Sequence, residues 1–262
     1  MSQNWRHVPP ARRPDASVAA DEPERFPAVY AGLKHVLPRL LRRFFSFRVS
    51  GIEHLPDRGP YIIAANHSNY LDGVVLATAL PRKIRFLVMP RVYRATPLHP
   101  YFHDHVGSIP VTLARPDPGA IRRALRVLEE GGVIGIFPEG PFSRHGRLVR
   151  GQPGVALVAL RSGVPVVPAA ISGTFQALAA RRCFVPRRVP LSVRFGKPLR
   201  FTTPRRRMTQ GLRADVTGRI MQEIAALLAA DGGSSPGVPV GPVAPVAPVA
   251  PVVPVAPVGV PR

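Results

Sequence analysis

The string YIIAANHSNYLDG closes a run of apolar residues on a histidine and an aspartate, and these two side chains, His67 and Asp72, are the first candidates for chemistry in the chain. YIIAAN (61–66) reads as a strand and the residues after Gly73 as a helix. His67 therefore stands where a strand gives way to a helix, a common place for active sites in layered α/β proteins. On a regular helix the two side chains would point roughly 140° apart, so contact between them requires the loop to curl back. If it does, Asp72 accepts the proton on one imidazole nitrogen and leaves the other as a general base, the arrangement of acyl-transfer triads. The competing reading is that Asp72 only caps the helix and that His67 is a loop residue bonded to backbone groups.

A second constellation follows the apolar strand in VIGIFPEG. Glu139 is the sole acidic residue between 131 and 214, and it ends a buried-strand pattern in an arginine-rich stretch. Arg144, Arg147 and Arg150 follow closely, spaced to offer guanidinium groups to a phosphate or carboxylate, or alternatively to line a solvated loop. His103, Asp104 and His105 alternate like ligands on a strand, but two histidines without a third fixed ligand fit loop or packing residues better. No metal is expected.

These residues need a scaffold. Apolar, β-branched runs at 47–52, 61–66, 84–89, 106–112, 133–137, 164–171 and 191–196 read as strands, and runs apolar on both faces belong in the middle of a layered fold. Between them the spacing predicts helices near 73–80, 117–130, 154–162 and 212–230. Asp117 and Pro118 mark one helix start and Gly131 its stop, while Leu212, Val216, Ile220, Ile224 and Leu227 form one stripe on the last helix. The expectation is an α/β domain over about 26–230.

Residues 28–46 place Val29, Leu33, Val36, Leu37, Leu40, Leu41 and Phe44 on one face, with Lys34, His35, Arg39, Arg42 and Arg43 largely elsewhere. That pattern fits either an interfacial helix on a membrane or a first helix docked on its own core, and Pro38 predicts a kink in both cases.

The 262 residues carry 36 basic and 15 acidic side chains, a net charge of +21, with 45% hydrophobic residues and 33 prolines. Residues 1–25 show no apolar period and read as a disordered arm, and 231–262 hold nine prolines in a PVA repeat that excludes helix and sheet. The single cysteine, Cys183, excludes an intrachain disulfide. The N-terminal run lacks a secretory apolar stretch, and no segment reaches the roughly 18 apolar residues a membrane span needs.

Taken together, NHSNYLD, FPEG followed by SRHGRL, and VPVVPAAISGT resemble, in this order and spacing, the block pattern of the glycerolipid acyltransferases of the 1-acyl-glycerol-3-phosphate (lysophosphatidic acid) type, over roughly 45–200. The resemblance implies an α/β fold with a layered mixed sheet flanked by helices. It implies that His67 activates the acceptor hydroxyl and that Asp72 orients it. Asn66, Glu139, Gly140 and Pro168 are implied around the acceptor. The acyl donor is expected to be acyl-CoA or acyl carrier protein, the acceptor a lysophospholipid, and no cofactor is expected.

The chain departs from that pattern twice. The second block of the family ends on a phosphate-contacting arginine, where this chain has Thr112 and Leu113, with Arg115 next along. After FPEG the family often carries Thr and Arg, where this chain has Pro141 and Phe142, with Arg144 two residues on. Another lyso-lipid acceptor therefore stays open. The charge suits substrate phosphates and an anionic membrane surface, and a cytoplasmic protein peripheral on the inner face of the cell membrane is expected. A nucleic-acid binder is the rival reading, but its motifs are absent and the lone tryptophan, Trp5, lies in the N-terminal arm, so no nucleic acid is expected.

Overall fold

Successive side chains of a strand point to opposite faces, so a strand apolar at every position must be covered on both sides. The computed structural model describes residues 28–89, 103, 107–112, 117–143, 145–178, 186–202 and 208–230. The segments 1–27 and 231–262, expected as arm and tail, lie outside the described residues, as do Arg115 and Arg144. In the described part, β2 (Tyr61–Ala65) and β5 (Val133–Ile136) are buried at every residue. With β1 (Arg48–Ser50), β3 (Ile84–Val88), β4 (Ile109–Pro110), β6 (Val166–Ser172) and β7 (Ser192–Phe195) they build a seven-stranded sheet in the order β1-β7-β6-β2-β5-β3-β4. The paired strands are parallel apart from β6 with β7, which makes the sheet mixed.

Among the described residues six α-helices flank it: α1 (Ala28–Phe45), α2 (Leu71–Ala79), α3 (Pro118–Glu129), α4 (Gly154–Ser162), α5 (Thr174–Ala177) and α6 (Gln210–Ala230). On one face Ile63, Ala65, Val167 and Ile171 meet Leu41 of α1 and Val75, Leu76 and Ala79 of α2. On the other, Ile62, Ala64, Ile134 and Val166 meet Leu128 of α3, Val155 and Ala159 of α4, and Val216, Ile220 and Ile224 of α6. Three layers result, with two continuous cores separated by the sheet. The register sets Ile62 beside Val166 and Ile134, so β2 occupies the centre and its C-terminal end carries His67 into the middle of the sheet edge.

Local signals explain the element ends. The Asp117 carboxylate accepts the Ala120 N–H at 2.9 Å, Pro118 opens α3, and Gly131 follows its end with φ at 80°. The strand expected over 106–112 is only two residues long. It lies at the sheet edge, where Pro110 interrupts pairing that a central strand would need.

The apolar face of α1 divides in two. Leu41 is buried and Leu37 and Phe45 pack on the core, while Val36, Leu40 and Phe44, four residues apart, are 56%, 45% and 40% exposed. Lys34 donates to the carbonyls of Ala77, at 2.8 Å, and Leu80, at the C-terminal end of α2, where a cation also complements the helix dipole. Burial lowers its pKa to about 8. The helix is thus docked along one stripe and bare along the next, with the guanidinium groups of Arg43 and Arg188 over the Phe44 ring at 5.8 and 5.0 Å.

Candidate active site

Between the last residue of β2 and the first of α2 the chain makes a tight loop, and Asp72 folds back into it. Its Oδ2 accepts the Asn69 N–H at 2.8 Å, the Ser68 N–H, and the Nδ1–H of His67 at 2.9 Å. Asp72 therefore does not cap α2, which has no side-chain cap; from inside its first turn it holds the preceding loop and orients the imidazole. Asp72 is fully buried, and its Oδ1 has no hydrogen-bond partner. Because a carboxylate oxygen accepts at Nδ1, that nitrogen carries the proton, and Nε2 presents its lone pair.

The loop is stapled to β6 and to the start of α5. The Asn66 amide donates to the Ile171 carbonyl at 2.9 Å and accepts the Ile171 N–H at 2.8 Å, and the Asn69 amide donates to the Thr174 carbonyl at 2.6 Å. Asn66, named among substrate-binding candidates, is thus engaged by backbone on both amide atoms.

Glu139 comes from the turn after β5. Phe137, Pro138, Glu139 and Gly140 form that turn, closed by the Gly140 N–H to the Phe137 carbonyl at 3.0 Å, with Gly140 at φ 80° where a side chain would be strained. The turn directs the Glu139 carboxylate inward. Oε1 accepts the His67 N–H at 2.7 Å and Oε2 the Val149 N–H at 2.8 Å, so one buried carboxylate ties the His67 backbone to the 140–150 loop. Burial pushes its pKa up to about 7 against the two N–H bonds, which favour the charged form. On the same loop, the Ser143 N–H donates to the His67 carbonyl at 2.8 Å, and its hydroxyl accepts from the Arg147 N–H at 3.1 Å.

Aromatic rings fix the imidazole plane. Gly135 of β5 leaves room for Phe86, whose ring a Cβ there would meet at 2.5 Å. Phe86 stacks on Phe137, and Phe137 stacks on His67 with centroids 4.0 Å apart and planes 12° apart. Phe142 meets His67 edge to face at 5.6 Å, and Tyr70 meets Phe142 at 5.1 Å.

The structure therefore brings His67, Asp72, Asn66, Glu139 and Gly140 together. Arg147 lies exposed on the adjoining loop. Pro168 is buried within β6 beside Ala64, with Gly196 close to its ring. His103 is buried and bonded to the Ser108 hydroxyl at 3.0 Å, while Asp104 and His105 lie outside the described residues. Sequence reasoning missed Asn69, Ser143 and the rings of Phe137, Phe142 and Tyr70. Two signals existed: Asn69 lies three residues before Asp72, a capping spacing, and Phe142 stands at a departure from the family pattern.

Residues 46–172 match the acyltransferase family model. The chain is 29% identical over 136 residues to a chloroplastic 1-acyl-sn-glycerol-3-phosphate acyltransferase of Arabidopsis thaliana, covering 50% of this chain and 37% of that one. It is 28% identical over 127 residues to a 1-acyl-sn-glycerol-3-phosphate acyltransferase of Bacillus subtilis, covering 48% and 62%. The matched stretches thus span less than two thirds of these curated relatives. The crystal structure of the 1-acyl-sn-glycerophosphate acyltransferase PlsC of Thermotoga maritima superposes with a TM-score of 0.62 at 18% identity, over 79% of this chain and 81% of that one, which establishes a shared fold. The stretch that matches the acyltransferase family model, residues 46–172, runs from just before β1 to the end of β6 and holds His67, Asp72 and Glu139.

Proposed function

We propose that the protein transfers a fatty acyl group from a thioester donor, acyl-CoA or acyl carrier protein, to the free hydroxyl of a lysophospholipid, with 1-acyl-glycerol-3-phosphate as acceptor and phosphatidic acid as product. The observation that carries the reading is the 2.9 Å bond from His67 Nδ1 to the buried Asp72 carboxylate. It leaves Nε2 to remove the hydroxyl proton as the oxygen attacks the thioester carbonyl; the C–S bond then breaks and the thiolate leaves with the proton from His67. No covalent enzyme intermediate is required. Glu139 serves as the clamp that sets the height of His67 against the 140–150 loop. Arg147, exposed on that loop, is suited to the acceptor phosphate. The names of the relatives support this acceptor.

The substrate resides in a bilayer, and the bare stripe of Val36, Leu40 and Phe44 beside Arg39 and Arg43 suits peripheral attachment to an anionic surface. No helix among the described residues is long and apolar enough to cross a membrane. The test is direct. Purified full-length protein is given radiolabelled acyl-CoA and a panel of lyso-lipids, and the expected product is labelled phosphatidic acid from lysophosphatidic acid, lost in His67→Ala. Acyl transfer to no member of the panel would overturn the proposal; transfer to a different lyso-lipid alone would retain the chemistry and replace the acceptor.

A further inference from the structure

After FPEG, where the resembling family often carries an arginine, this chain has Phe142, and its ring touches the imidazole itself. From His67 the rings run outward in the order His67, Phe142, Tyr70, with centroid separations of 5.6 and 5.1 Å. Phe142 is half-buried and Tyr70 is 37% exposed, so the row leads from the base to the surface.

A hydroxyl seated at Nε2 brings the carbons next to it within reach of Phe142. An aromatic edge offers dispersion and removal of apolar surface from water, whereas a guanidinium offers charge-assisted bonds to a phosphate. In a lysophospholipid the carbon bearing the free hydroxyl has two different neighbours, one leading to the phosphate and one to the acyl ester. Phe142 suits the second.

Resting on the acyl-transfer reading above, we propose that Phe142 and Tyr70 form an apolar subsite for the acyl chain already attached to the acceptor. This subsite takes the acyl-ester side of the acceptor and makes Phe142 a specificity-determining residue. The protein then discriminates among acceptors by the chain they carry, through a contact adjacent to the reacting hydroxyl.

The experiment compares 1-decanoyl- with 1-acetyl-glycerol 3-phosphate, both below micelle formation, using full-length protein and one acyl-CoA. The quantity read is the ratio of their kcat/KM values. Phe142→Ala is expected to lower that ratio at least about tenfold, chiefly through the KM of the decanoyl acceptor, while Phe142→Leu, which keeps an apolar side chain, holds it within about threefold. Tyr70→Ala, at an exposed position, is expected to lower it by about threefold and serves if Phe142→Ala does not fold. An unchanged ratio in the alanine variants overturns the subsite. An equal loss on both acceptors also overturns it, because Phe142 would then only hold the His67 ring. Wild-type protein that acylates neither acceptor would instead remove the acyl-transfer reading and this inference with it.

Discussion

Asp72 and Glu139 are two buried carboxylates that both bond to His67, yet they do so in different ways. Asp72 gathers its donors on a single oxygen, and all three come from residues three to five positions earlier, one of them the imidazole. Glu139 divides its donors between two oxygens, and they come from backbone N–H groups 72 residues before and 10 residues after it. In the proposed mechanism the first acid therefore sets the tautomer of the base, a property of the side chain. The second sets where the base sits between two loops, a property of the fold.

The largest effect separating the two falls on Asp72. Asp72→Asn is expected to lower kcat by about a hundred- to ten-thousandfold, because an amide in that place can present the wrong imidazole tautomer to the hydroxyl. Steady-state kinetics with a near-native circular dichroism spectrum would check it. Glu139→Gln keeps one acceptor and sets an NH2 group against the other N–H, so a loss in kcat of about ten- to hundredfold is expected, together with weaker protection of the Val149 amide against hydrogen exchange.

The pH dependence of stability sharpens the contrast. Glu139 holds its proton more tightly when folded, at about 7, than at its ordinary value of 4.5. A folded chain that binds more protons than the unfolded one loses stability as pH rises, so Glu139 contributes a decline between about 4.5 and 7 of up to about 3 kcal/mol, complete above that window. Urea melts of wild type and Glu139→Gln across this range would show a decline that the variant lacks. If the two curves run parallel, the Glu139 carboxyl is not the titrating clamp.

The two stripes of α1 give a smaller and independent pair. Leu41→Ala is expected to cost about 2–5 kcal/mol of stability, as for other buried leucines, and Leu40→Ala to remain within about 0.5 kcal/mol. Leu40→Gln with Phe44→Gln should instead weaken sedimentation with anionic vesicles while leaving the melt unchanged. Smallest in reach is Arg147→Ala, expected to raise the KM for lysophosphatidic acid by about tenfold or more with the donor KM unchanged, since a charge-assisted contact to phosphate is worth about 1.5–3 kcal/mol.

Much of the scaffold was legible in the sequence because the central strands are apolar at every position, which only a sheet covered on both faces accommodates. YIIAA and VIGI became β2 and β5 for that reason. The His67 to Asp72 contact was legible as a requirement, since the loop had to curl back for the pair to meet. The clamping bonds of Asn66 and Glu139 were not, because their backbone partners lie 105 and 72 residues away and follow from strand order and register. The division of the α1 stripe was equally hidden. A helical pattern shows which residues share a face, whereas the part of that face that is covered follows from tertiary docking, here Leu37, Leu41 and Phe45 on the core and Lys34 on the end of α2.

The central claim is that Asp72 acts through His67, and a double-mutant cycle on kcat tests it most directly. Acyl transfer is measured for wild type, Asp72→Asn, His67→Ala and the double variant, each verified as folded. The dyad predicts that the double variant is no slower than His67→Ala alone, because an orienting carboxylate has nothing left to orient once the imidazole is gone. Losses that multiply would contradict it and would assign Asp72 a role separate from the base.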